Sequence, residues 1–184
     1  MNKKVFGFAL MFFLSACGST SKKIDATYIN AATTYKIEDV DLHLNSKCEG
    51  KAYPNEAELK NIFSKKIRES FCQANTCNNG KTDENTINIK VAVVYKRVFM
   101  GEGFRCNEAY GHSSLIYSYY FSKNDQTIFS EGQSSELVTN KGLFGNLKTI
   151  ATQISATGDA DNEMENINIF TNAISKDISE KVKN

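Results

Sequence analysis

The side chains able to do covalent or metal chemistry are few, and their spacing limits what they can do. Five cysteines stand at positions 17, 48, 72, 77 and 106, and the only histidines are His43 and His112. Cys72 and Cys77 are separated by four residues and lack the C-x-x-C spacing of disulfide oxidoreductases. With no second close cysteine pair and no nearby histidine, a structural zinc site is not expected. His43 shares a strand face with Asp41, where a carboxylate could orient an imidazole base. The alternation with Leu42 and Leu44 reads more simply as the wet side of a half-buried strand. His112 lies among turn residues, with no G-x-S-x-G nucleophile signature near it. Gly101-Glu102-Gly103-Phe104 lacks the third glycine and following helix of a dinucleotide fingerprint, so it reads as a turn.

The acidic run from Asp159 to Glu165 invites a calcium reading. Counted from Asp159, the sixth and twelfth positions of an EF-hand loop hold Met164 and Phe170, where glycine and glutamate are needed. A helix N-terminus explains the run better, since acids there complement free N–H groups and the dipole. Neither a catalytic residue nor a cofactor or metal is therefore expected.

The elements that must position these residues follow from hydrophobic period. Tyr35 to Leu44 reads as a strand, with Val40, Leu42 and Leu44 alternating with Asp41 and His43. Asn55 to Phe71 reads as a helix with Pro54 beside its start, and Leu59, Ile62, Phe63, Ile67 and Phe71 share one face. Asn75 to Asn85 is a polar turn cluster. Ile87, Ile89, Val91, Val93 and Tyr95 form the cleanest strand, whose period is expected to break near Lys96-Arg97. A third strand carries Leu115, Tyr117, Tyr119 and Phe121 on one face. Lys123-Asn124-Asp125 is a hairpin turn, and Thr127 to Val138 would return beside it. A last helix runs from about Asn162 to Val182, with Ile167, Phe170, Ile174, Ile178 and Val182 as its apolar stripe. The tyrosines at 110, 117, 119 and 120 read as sheet packing. The order β-α-β-β-β-α predicts an α+β fold, a mixed sheet with helices packed on one face.

Leu143, Leu147, Ile150 and Ile154 are spaced four, three and four apart, with Phe144 beside them. They suit one apolar face of a short helix that either completes the core or, if exposed, docks a partner or a membrane surface. Leu143, Phe144, Leu147, Ile150 and Ile154 are thus candidate partner-binding residues.

The N-terminus carries the clearest address. Lys3 and Lys4 precede an apolar run from Val5 to Leu14, too short to cross a bilayer core and suited to an export signal. Leu14-Ser15-Ala16-Cys17 resembles the lipobox of bacterial lipoprotein precursors. The resemblance implies cleavage before Cys17, a diacylglyceryl thioether on its sulfur and, in many bacteria, a third acyl chain on its nitrogen. Two or more chains anchor stably where one does not. In the sorting pattern of such lipoproteins, aspartate after the cysteine retains the protein at the inner membrane. Gly18 and Ser19 stand here, which implies the outer membrane; the periplasmic side is expected over the cell surface. The expected organisation is a signal at residues 1–16, lipidated cysteine and tether at 17–33, and one α+β domain over 34–184.

The cleaved chain would keep 168 residues, enough for one domain with a real core. The signal takes Lys3 and Lys4 and no acid, leaving 20 basic against 21 acidic residues. That balance argues against a nucleic-acid partner, which calls for a basic excess.

An exported location permits disulfides between the four remaining cysteines. With the first strand running up, the helix down and the second strand up again, Cys48 and Cys106 meet at one end of the sheet. Cys72 and Cys77 meet at the other. Pairing within about 7 Å then predicts Cys48–Cys106 and Cys72–Cys77.

The layout is similar to that of small envelope lipoproteins: the YajG-like lipoproteins, the auxiliary lipoproteins of ABC transporters and the lipopolysaccharide-assembly lipoprotein. It implies a non-enzymatic component that binds an envelope protein or assists assembly, held to the membrane by its lipid. The alternatives are a periplasmic hydrolase using His43 or His112, and a lipid- or glycan-binding carrier with a deep apolar pocket.

Overall fold

The structure, a computed structural model, describes residues 34–48, 50–78, 85–100, 109–132, 137–138 and 159–183. In chain order the elements are β1 (Thr34–Asn45), α1 (Glu56–Ala74), β2 (Thr86–Phe99), β3 (Tyr110–Lys123), β4 (Gln126–Gly132), β5 (Leu137–Val138) and α2 (Asp159–Lys183). The fold is α+β. β1 and β2 run parallel through the α1 crossover, β3 is antiparallel to β2, and both β4 and β5 pair with β3.

Each element follows from local chemistry. Asn55 caps α1 by accepting from the Glu58 backbone N–H at 3.0 Å, while the Glu58 carboxylate accepts from the Asn55 N–H at 2.8 Å. This reciprocal box satisfies donors that a helix start leaves open. Leu59, Phe63, Ile67 and Phe71, each four residues on, are fully buried on the face toward the sheet. On α2 the expected stripe of Ile167, Phe170, Ile174, Ile178 and Val182 is buried likewise. Beside that stripe Thr171, Ser175 and Ser179 are also buried, and each hydroxyl donates to the carbonyl four residues back, at 2.7–2.8 Å. Small, self-satisfied side chains let α2 approach α1 closely, where Ser175 Oγ also reaches the Ile67 carbonyl at 3.3 Å.

The strands depart from simple alternation at informative places. In β1 a register shift between Ile37 and Asp39 moves the buried set from Tyr35 and Ile37 to Val40 and Leu42. In β2 the break expected near Lys96-Arg97 comes slightly later. The inward set runs on through Arg97 and Phe99, and the register shift lies at Val98/Phe99. A charged residue continues the inward parity here because Arg97 has a buried partner. Asn124 and Asp125 make the hairpin turn with φ of 49° and 61°, the left-handed backbone of a two-residue loop. The return strand is divided. Gly132 stands opposite Ser118 and Leu137 opposite Leu115, so β4 and β5 are out of step by two residues.

Candidate functional site

Several expected site residues lie outside the described residues: Cys17, Cys106, and Leu143, Phe144, Leu147, Ile150 and Ile154. The pairing of Cys48 with Cys106 lies there too, although Cys48 itself is disulfide-bonded. Cys72, in the last turn of α1, is joined to Cys77 with Cα atoms 5.4 Å apart. This bond holds Thr76 to Asn78 against the outer edge of β1. There the Tyr35 N–H donates to the Thr76 carbonyl at 3.0 Å and the Asn78 N–H donates to the Tyr35 carbonyl at 2.9 Å.

The acidic residues at the start of α2 have an unexpected use. Glu163 is fully buried and takes the Arg97 guanidinium in a two-point contact, Nε to Oε1 at 2.7 Å and Nη2 to Oε2 at 3.1 Å. The Tyr95 hydroxyl donates to the same Oε1 at 2.9 Å, and Arg97 Nη2 also donates to the Pro54 carbonyl at 2.7 Å. The guanidinium lies 5.5 Å from the Tyr53 ring centroid and 6.0 Å from that of Phe99. Asn166 donates to the Tyr110 hydroxyl, which donates in turn to Ser113. Burial pushes the phenols of Tyr95 and Tyr110 above their ordinary range. With its donors and acceptors turned on one another, this network ties β2, the start of α1 and the start of α2 together. A signal for it was present in the sequence: Arg97 continues the inward parity of β2, and Glu163 lies four residues before Ile167, in phase with the apolar stripe. Each charge stands on an apolar face, and the two are opposite in sign.

The histidines are not brought into a catalytic arrangement. His43 is exposed, with Nδ1 3.4 Å from Glu56 Oε2, an oxygen that also accepts from the Leu44 N–H at 2.7 Å. Asp41, the expected orienter, lies 3.5 Å from Lys60 Nζ instead. His112 is exposed on β3, opposite Val98. Among the described residues no group of three or more His, Cys, Asp or Glu is placed to hold a metal. The space between sheet and helices, where a carrier would need its pocket, is filled by Phe63, Phe71, Tyr95 and Phe170.

A concave feature lies on the other face of the sheet. Register places Asp41, Ala92, Ser118 and Gly132 side by side across four strands. Small residues at 92, 118 and 132 make a trough perpendicular to the strands. Beside it runs a row of His43, Val94 and Ile116, and on its other side a row of Lys90, Tyr120 and Ser130. Four strands at roughly 4.8 Å spacing make it about 14 Å long. The cavity there is about 470 Å³ and open to solvent. Val94, Ile116 and Tyr120 are 44%, 45% and 42% exposed, three of the five large hydrophobic side chains most exposed among the described residues. A Cβ added at Gly132 would meet Ser118 Cβ at 3.3 Å, so even one methyl group would begin to fill the floor.

No family model matches the chain, and no curated protein does. Among solved structures it is similar to a candidate lipoprotein from Caulobacter crescentus CB15, at 10% identity and a TM-score of 0.34, over 78% of this chain and 86% of that one. A likeness at that level carries no argument about function.

Proposed function

We propose that this protein is a lipid-anchored component of the bacterial envelope that works by holding a protein partner against the open face of its sheet, without catalysing a reaction. The observation that carries the reading is the trough over Ala92, Ser118 and Gly132, flanked by exposed Val94, Ile116 and Tyr120. Covering that strip removes apolar surface from water at roughly 25 cal/mol per Å². Arg97 and Glu163 are paired with each other in the core, and His43 lies beside Glu56 on the surface. The lipobox-like Leu14-Ser15-Ala16-Cys17 supports the anchor, and Gly18-Ser19 supports the outer membrane. Confinement to a membrane raises the effective concentration of partners held there, so a modest docking strip suffices.

The test is site-specific photo-crosslinking in cells. A crosslinker at Ser118 is expected to trap a defined envelope protein, and the adduct is expected to vanish in a Val94→Asp, Ile116→Asp variant. The two aspartates face each other across central strands and cost on the order of 1 kcal/mol per site, so circular dichroism must show the variant folded before its adducts are scored. A crosslinker at Lys176, on the helix side, should give no such adduct. Equal adducts from both positions, or none from Ser118, would refute the docking reading. Cys17→Ala should move the protein from the membrane fraction to the soluble one, and retention there would refute the anchor.

A further inference from the structure

A second cavity, of about 340 Å³, opens directly on the Cys72–Cys77 disulfide, between the end of α1 and the start of β1. Lys36, Glu38 and Arg68 supply its charged lining, and both cysteines are half-buried there instead of sealed in the core. Glu38 is held by Lys90 at 3.4 Å, while Arg68 donates from Nη2 to the Ile37 carbonyl at 3.3 Å, which keeps a guanidinium over this end of β1. Among the described residues, the surroundings of the disulfide are therefore open to solvent and cationic on balance. Those two conditions favour thiol–disulfide exchange, because a cation attracts the incoming thiolate and stabilises the departing one.

We propose that Cys72–Cys77 is an exchangeable disulfide, opened in the folded protein by a small thiol or dithiol entering the cavity lined by Lys36 and Arg68. The thiolate attacks one cysteine sulfur. The S–S bond breaks as a new S–S bond forms, and its electron pair leaves on the other cysteine, which takes a proton from water. A second thiol then attacks the mixed disulfide. Both cysteines end reduced, and the reagent ends as its own disulfide. Opening the bond frees the segment that it holds on β1, so the Thr76 and Asn78 contacts to Tyr35 lose their covalent brace.

The test uses the full chain, folded at neutral pH, with reduced glutathione as the probe and alkylation with mass spectrometry as the readout. Reduction at 72 and 77 should rise in proportion to glutathione, be insensitive to added sucrose, and precede any labelling of Cys48, which is only 4% exposed. Arg68→Ala should slow it by about threefold and Arg68→Glu by about tenfold, in line with the sensitivity of exchange to thiolate stability. Lys51→Glu, an equal charge change at an exposed site near the other end of the sheet, should leave the rate unchanged. If Arg68→Glu fails to fold, Lys36→Glu carries the same expectation. A rate that levels off at that of global unfolding, or one that Arg68→Glu does not alter, would overturn the proposal.

Discussion

Arg97 and Glu163 form a buried pair whose worth depends on both members being present. Removing one leaves an uncompensated charge, which costs about 3–5 kcal/mol, whereas replacing both by apolar groups of similar size is often neutral. Glu163→Ala is therefore expected to lower stability by that amount in urea titration. Arg97→Met combined with Glu163→Leu should recover most of the loss, and a double variant as unstable as Glu163→Ala would count against this account. These two residues also mark where reading the chain ran out. Sequence pattern alone puts a break near Arg97 and groups Glu163 with the other acids at a helix start. One-dimensional pattern assigns a charged residue to solvent unless its partner is known, and this partner lies 66 residues away.

At the scale of elements, period was a reliable guide wherever one face is buried and the other wet. The stripes of α1 and α2, and the inward sets of β2 and β3, are those that their apolar spacing predicts. The bulge in β1 and the division between β4 and β5 were not legible, because each depends on pairing with a neighbouring strand. The trough over Ala92 was hidden for the same reason. Ala92, Ser118 and Gly132 are unremarkable singly and form a floor only once register aligns them. The turn closed by Cys72–Cys77 is short, and loop-closure entropy gives it about 2 kcal/mol. Replacing both cysteines with serine should reduce stability by roughly that much. Hydrogen exchange should then be fastest around Thr76 to Asn78, while the amides of β2 keep their protection. Loss of protection spread evenly over the sheet would show that the bond supports more than this edge.

For the whole molecule, tyrosine is the common currency of the interior, linking sheet to helices by ring and hydroxyl together. Tyr117 donates to Asp177 at 2.8 Å, and Tyr119 donates to Glu131, which also holds Lys181 of α2 at 2.8 Å. Burial raises the phenol pKa of Tyr35, Tyr95, Tyr110, Tyr117 and Tyr119 above the ordinary value near 10. The folded state thus keeps protons that the unfolded state releases. Its stability is fully present below about pH 10 and declines as pH rises further. Alkaline titration should show the tyrosinate absorbance of these five appearing together with loss of helical circular dichroism. Ionisation of these tyrosines without unfolding would contradict their placement.

The direction of β1 carries a consequence for geometry at the membrane. The chain enters this strand at Thr34, beside the Cys77 segment, while Cys48, Tyr53, Phe99 and Tyr110 cluster beyond its other end. Under the proposed anchor at Cys17, the tether joins the domain at the Thr34 end of the sheet. The hollow over Ala92 lies about 20 Å along β2 from Thr86, and its long axis runs across the strands. A partner bound as proposed would therefore rest on the middle of the sheet face, set back from the end that the tether enters.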